Sequence, residues 1–151
     1  MTKITKKLLE ELKSKLEEEG KLLEEELKKF AEKDKRLEGD WDTRFPHFDG
    51  GETGGAALEK AADEIEEYIT LLPIEYILET RLQNIHLALK KIKKAAKGEP
   101  RSPRFAGEAG QGRGKYGICE KCGQEIEVER LKISPEARLC LKCARLKKSQ
   151  K

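Results

Sequence analysis

The chain is 151 residues long, close to the size of one domain, but only 36% of it is apolar while 40% is charged, which argues against a large globular core. Aromatic residues make up 5%, no run of about 18 apolar residues is present, and no basic-plus-apolar leader opens the chain, so a cytoplasmic protein without a membrane partner is expected. The net charge of +3 conceals a division: residues 38 to 67 hold ten acids against Arg44 and Lys60, a net −8, whereas residues 81 to 151 hold nineteen bases and seven acids, a net +12.

From Thr5 to Glu38 the sequence lacks proline and places Leu9, Leu16, Leu23, Phe30 and Leu37 seven residues apart, which predicts a helix over about 5–38. Leu8, Leu12, Leu22 and Leu27 widen this stripe, Gly20 is expected off the seam, and Gly39 is the expected stop. A second helix is predicted over about 57–97, with Leu58, Ile65 and Leu72 in one lane and Leu78, Ile85 and Ile92 beside Leu82, Leu89 and Ala96 in the next. The step from Leu72 to Leu78 is six residues, and Pro73 at the slip predicts a kink or short break. Two such amphipathic helices are expected to pair as a long antiparallel coiled-coil hairpin over residues 1–97, with residues 39–56 as its tip. On that arrangement the acidic stretch lies at one end and the basic half at the other, a distribution suited to oriented docking.

Residues 98–115 carry Gly, Pro and Arg without an apolar period and read as a flexible basic linker, whose length is expected to loosen the placement of the C-terminal segment. That segment, 116–151, holds Cys119-x2-Cys122 and, after seventeen intervening residues, Cys140-x2-Cys143, and ends in a basic tail that continues a short C-terminal helix. Each pair forms a tight turn that offers two thiolates from one side, and four thiolates complete the tetrahedron around one structural zinc ion. A single pair could serve redox chemistry, but two matched pairs in so short a segment favour a closed metal site. The fold class is therefore mainly α: a helical hairpin, a small four-cysteine zinc finger and a short helix.

Tyr116-Gly117-Ile118-Cys119, Cys122-Gly123, Ile126, Arg130-Leu131, Pro135, Leu139-Cys140 and Cys143 resemble the C4-type zinc finger of the DksA/TraR family. Ala62-Asp63-Glu64-Ile65-Glu66-Glu67-Tyr68 extends the resemblance into the second helix. The resemblance implies a bacterial transcription regulator that binds RNA polymerase without binding DNA in a sequence-specific way. It implies that the coiled-coil tip enters the secondary channel so that tip acids approach the catalytic magnesium. Several members act with guanosine tetraphosphate, and the resemblance makes that nucleotide a partner to consider. Asp40, Trp41, Asp42 and Asp49 are the tip residues expected to contact polymerase. The best-known members have two aspartates three residues apart followed by alanine, whereas Asp40 and Asp42 stand two apart.

Trp41, Phe45 and Phe48 gather three aromatics in the tip, either as a binding patch or as a small packed cluster that presents Asp40 and Asp42. His47 and His86 are not needed as ligands beside four thiolates. Lys90, Lys91, Lys93, Lys94 and Lys97 form a basic run suited to solvent or to a phosphate-rich surface. No Gly-rich phosphate loop, HExxH or nucleophile–base pair is present, so the chain is not expected to be an enzyme; a monomer is expected. Two other readings stand beside a polymerase regulator: a nucleic-acid-binding zinc protein that uses its basic C-terminal half, and a zinc-stabilised adaptor.

Overall fold

A computed structural model describes residues 4–47, 54–96 and 115–148. In chain order these hold α1 (Lys6–Phe30), β1 (Ala31–Lys33), β2 (Trp41–Thr43), α2 (Gly55–Ala96), α3 (Val128–Ile133) and α4 (Leu141–Lys148). Helix therefore dominates, as expected. Phe48, Asp49, Lys97 and the linker as far as Gly114 lie outside the described residues. The chain divides into two compact units, one of Met1–Gly20 with Asn84–Lys151 and the other of Lys21–Gln83.

Thr5 starts α1: its Oγ1 accepts the Leu8 N–H at 3.3 Å and its carbonyl the Leu9 N–H at 3.0 Å, so one side chain satisfies a donor that the first turn would leave unpaired. The buried stripe of α1 is Leu12, Leu16, Gly20, Leu23 and Leu27, continued by Ala31 beyond its end, with steps of three and four residues. Gly20 is thus on the stripe and not off it, which the seven-residue count through Leu9 and Leu16 could not reveal.

The first helix stops at Phe30, eight residues short of the expected end. Its last turn is capped from further along the chain: the Arg44 guanidinium donates to the Lys28 carbonyl at 2.9 Å and the Arg44 N–H to the Phe30 carbonyl at 2.9 Å. The chain then turns back as a two-stranded antiparallel ladder, with Ala31 opposite Thr43, Glu32 opposite Asp42 and Lys33 opposite Trp41. Alternation explains it: Ala31, Trp41 and Thr43 face inward while Glu32 and Asp42 face solvent. Gly39 does not end the helix; it serves the turn between the strands, where its φ of 93° suits glycine. Leu37, the fifth residue of the heptad series, is exposed in that turn.

The second helix begins at Gly55 and runs without a break through Pro73 to Ala96. Proline removes one backbone hydrogen bond, too little to interrupt a helix of 42 residues. Its inward lane also differs from the expected one. Ala57, Ala61, Glu64, Tyr68, Leu71, Glu75 and Leu78 are half-buried and lead in unbroken steps of three and four to buried Leu82 and Ile85. Leu58, Ile65 and Leu72 are exposed instead. Apolar residues lie on several sides of this helix, so apolarity alone does not decide which side is covered. No helix among the described residues is long and apolar enough to cross a membrane.

Candidate functional site

Cys119, Cys122, Cys140 and Cys143 come together as the sequence predicts. Each offers a sulfur, and all four sulfurs lie within 4.8 Å of one another. Cys119 and Cys122 sit on a tight turn closed by the Gly123 N–H donating to the Cys119 carbonyl at 2.9 Å, with Gly123 at φ 70°. The Cys119 N–H donates to the Gln124 carbonyl at 2.8 Å, and Ile118 bridges Glu125 in antiparallel fashion. Cys140 immediately precedes α4 and Cys143 lies in its first turn, so helical spacing returns the second sulfur to the side of the first.

The geometry fits a zinc ion. Cys122 Sγ and Cys140 Sγ stand 3.7 Å apart, against about 3.8 Å for the edge of a tetrahedron with zinc–sulfur bonds of about 2.3 Å. The four thiols are free of disulfides. Burial works against a Cys119 thiolate, yet the N–H groups of Cys122, Cys140 and Lys121 and the Cys122 thiol bring it down to about 6. Cys143 is pushed up to about 12, first by burial and then by the sulfurs of Cys140, Cys122 and Cys119. Four sulfurs this close resist carrying negative charge together until a divalent cation balances them. The cluster therefore fits one structural zinc ion.

The finger has a core of its own. Leu131 and Cys119 are fully buried with Ile126, Cys140, Cys143 and Leu12 of α1, and Ile4, Leu8, Tyr116, Ala137 and Leu139 pack around them. Gly117, at φ 79°, lies close under Ile4, just ahead of α1: a Cβ there would lie 2.5 Å from Ile4 Cδ1. Polar contacts reinforce this. The Tyr116 hydroxyl donates to the Pro135 carbonyl at 2.8 Å, and Arg130 Nε donates to the Leu139 carbonyl at 2.9 Å. On α2, Lys91 donates to Glu120 at 2.7 Å; Arg138 pairs with the other Glu120 oxygen at 2.6 Å and reaches Asn84 at 3.3 Å. These two cations hold the Glu120 carboxyl below its ordinary range despite burial. The long connection thus leaves the finger seated on α1 and α2 within its unit. Glu120 and its two partners had no sequence signal, because no local spacing of charges marks a contact between Lys91 and a residue 29 positions on.

The second cluster lies in the turn between β1 and β2. Asp34, Asp40 and Asp42 bring carboxylate oxygens within 4.8 Å of one another, Asp42 exposed and the other two half-buried. Asp34 was not expected among the tip acids. It builds the turn: its carboxylate accepts the N–H groups of Arg36 and, at 3.1 Å, Leu37, and these bonds lower its pKa. Asp42 is shifted up, first by desolvation and then by the charges of Asp34, Asp40 and Glu75. Trp41, expected among the contacting residues, is buried, with the Lys33 ammonium 5.2 Å from its ring centre. It anchors β2, which carries Asp42 and follows directly on Asp40. Phe45 meets Tyr68 edge-on, ring centres 5.2 Å apart. Thr43 donates its N–H at 2.6 Å and its hydroxyl to Glu75. Glu79 is buried beside Asp40, and desolvation followed by the hydrogen bond and charge of Asp40 pushes it up to about 7.

The family of prokaryotic dksA/traR C4-type zinc fingers matches residues 114–148, the segment that holds all four cysteines. Ala62–Tyr68 lies outside the matched segment. An uncharacterized protein of Aquifex aeolicus (strain VF5) is 56% identical over 32 residues, a span of 21% of this chain and 22% of that protein. No solved structure matches the chain.

Proposed function

We propose, on the premise that residues 114–148 are a DksA/TraR C4-type zinc finger, that the chain is a non-catalytic transcription regulator that binds RNA polymerase. In this reading α1 and α2 pair antiparallel as a coiled-coil hairpin, and the Asp34, Asp40 and Asp42 turn enters the secondary channel. The observation that carries the proposal is the finger itself: a matched sequence with four sulfurs at zinc-binding separations. The exposed carboxylate of Asp42, on a short strand anchored by Trp41 and within 4.8 Å of that of Asp40, supports the acidic turn as the group that meets an electropositive channel or a divalent cation. The alternative use of the basic half for nucleic acid is less favoured, because Lys91 and Arg138 are engaged by Glu120.

The test is co-purification with bacterial RNA polymerase, followed by transcription assays with Asp40→Asn and Asp42→Asn, with and without guanosine tetraphosphate. Binding that survives in the variants while the effect on transcription is lost would assign the effect to the turn. Folded, zinc-loaded protein that never binds polymerase would end the proposal, and salt-sensitive binding to free DNA or RNA in its place would favour the nucleic-acid reading.

A further inference from the structure

The first half of α2 carries a second apolar seam that lies to one side of its packed lane. Leu58, Ala62, Ile65, Ile69, Leu72 and Tyr76 succeed one another in alternating steps of four and three, the spacing of a coiled-coil contact line. All six are exposed, Leu58 at 75%, Ile69 at 60% and Tyr76 at 69%. The packed lane is identified independently by its contacts: Tyr68 meets Phe45, and Glu75 accepts from Thr43. At about 100° per residue the seam is centred roughly a quarter of a turn away from that lane.

Charge decides what could cover it. Glu59 and Glu66 each come directly after a seam residue and line its outer edge seven residues apart, with Asp63 and Glu67 beyond them, and all four are exposed. Between Leu58 and Tyr76 there are six acids, Glu59, Asp63, Glu64, Glu66, Glu67 and Glu75, against the single base Lys60. A second copy docking by the same seam around a two-fold axis would bring acidic edge to acidic edge, which is repulsive. A helix with an apolar ridge and lysine or arginine flanks would complement both features.

We propose that the Leu58–Tyr76 seam of α2 is a docking surface for a cationic amphipathic helix of another protein. The seam supplies the apolar contact and the flanking acids select the sign of the partner. This surface is separate from the acidic turn, and it does not depend on what that turn engages.

The experiment titrates the zinc-loaded full chain with three synthetic helical peptides of roughly three heptads. One has leucines at the contact positions and lysine flanks, one the same leucines with glutamate flanks, and one lysine flanks with alanines at the contact positions. The first is expected to bind, more weakly as salt rises, and the other two are not. Ile69→Gln with Leu72→Gln, both exposed positions replaced by a good helix former, is expected to weaken the first peptide about tenfold or more. Ile133→Gln, an exposed apolar position on α3, is expected to change nothing, and so are Asp40→Asn and Asp42→Asn. Equal binding of the alanine peptide would reduce the effect to unspecific charge attraction and overturn the proposal. Binding of the glutamate peptide, no binding of any peptide, or a dimer of the chain that Ile69→Gln with Leu72→Gln dissociates would overturn it as well.

Discussion

In the finger, Leu131 and Cys119 are fully buried and four sulfurs converge on one point; in the acidic turn, Trp41 is the largest buried group and the loop hangs on hydrogen bonds to carboxylates. The two regions share a chain yet draw on different physics. A finger of about 30 residues is too small to hold together by apolar burial alone, and metal coordination makes up the difference. The turn borrows its order from the helices around it, through Arg44 on the end of α1 and Glu75 and Glu79 on α2. The finger should therefore respond to metal and hardly to mild pH change, and the turn the reverse.

The largest effect expected is metal removal. Structural zinc contributes on the order of 10 kcal/mol to small fingers at neutral pH, so chelation should unfold residues 116–143 while the Lys21–Gln83 unit stays folded. Amide exchange checks this: loss of protection in both units together would mean that the finger is not a separate, metal-held element. Next comes Leu131→Ala, which removes a fully buried side chain from the finger core and should cost about 2–5 kcal/mol. Zinc affinity measured by competition with a chelator should fall with it, whereas the exchange rates of β1 and β2 should not move.

The turn is tested by pH. Glu79 is raised from 4.5 to about 7 in the folded chain, so the fold holds a proton there that the unfolded chain has already released. Its contribution is complete below about pH 4.5 and is lost as the pH rises through about 7, on the order of 3 kcal/mol for a shift of this size. Urea unfolding of the Lys21–Gln83 unit should accordingly show less stability at pH 8 than at pH 5.5. Glu79→Gln should flatten that difference, since an amide hydrogen-bonds without titrating. A slope unchanged by the substitution would transfer the effect to another of the facing acids, Asp40, Asp42 or Glu75. The smallest effect belongs to Glu120→Gln, which leaves Lys91 and Arg138 without their shared charge and should weaken the finger by about 1 kcal/mol. Raising the salt concentration should shrink the difference between variant and parent.

The contrast also explains how much could be read from residues alone. Cys119, Cys122, Cys140 and Cys143 were legible because metal chemistry demands a spacing, and the spacing survives whatever the surrounding fold does. The inward stripe of α1 was legible in its members but not in their weight: Leu12, Leu16, Leu23 and Leu27 are buried, whereas Leu9 and Phe30 of the seven-residue series are only half-buried and Leu22 is exposed. The end of that helix was not legible, since helix-compatible residues continue to Glu38 and the stop depends on Arg44, fourteen residues beyond Phe30. One signal was available, the alternation of Trp41-Asp42-Thr43, but three residues are too few to outweigh a long helical pattern. On α2 the apolar residues Leu58, Ile65, Ile69, Leu71, Leu72, Ile74 and Ile77 surround the helix, so the covered side was decided by Phe45 and Thr43, which no periodicity records. Asp34 carries no signal for a related reason: a carboxylate that accepts two backbone N–H groups looks in sequence like any other loop aspartate.

The central claim is that four sulfur donors hold one zinc ion, and zinc X-ray absorption spectroscopy combined with elemental analysis of the purified full chain tests it most directly. One zinc per chain with four sulfur neighbours at about 2.3 Å is the result expected. Folded protein with no bound metal, or with a shell of oxygen and nitrogen donors, would contradict it.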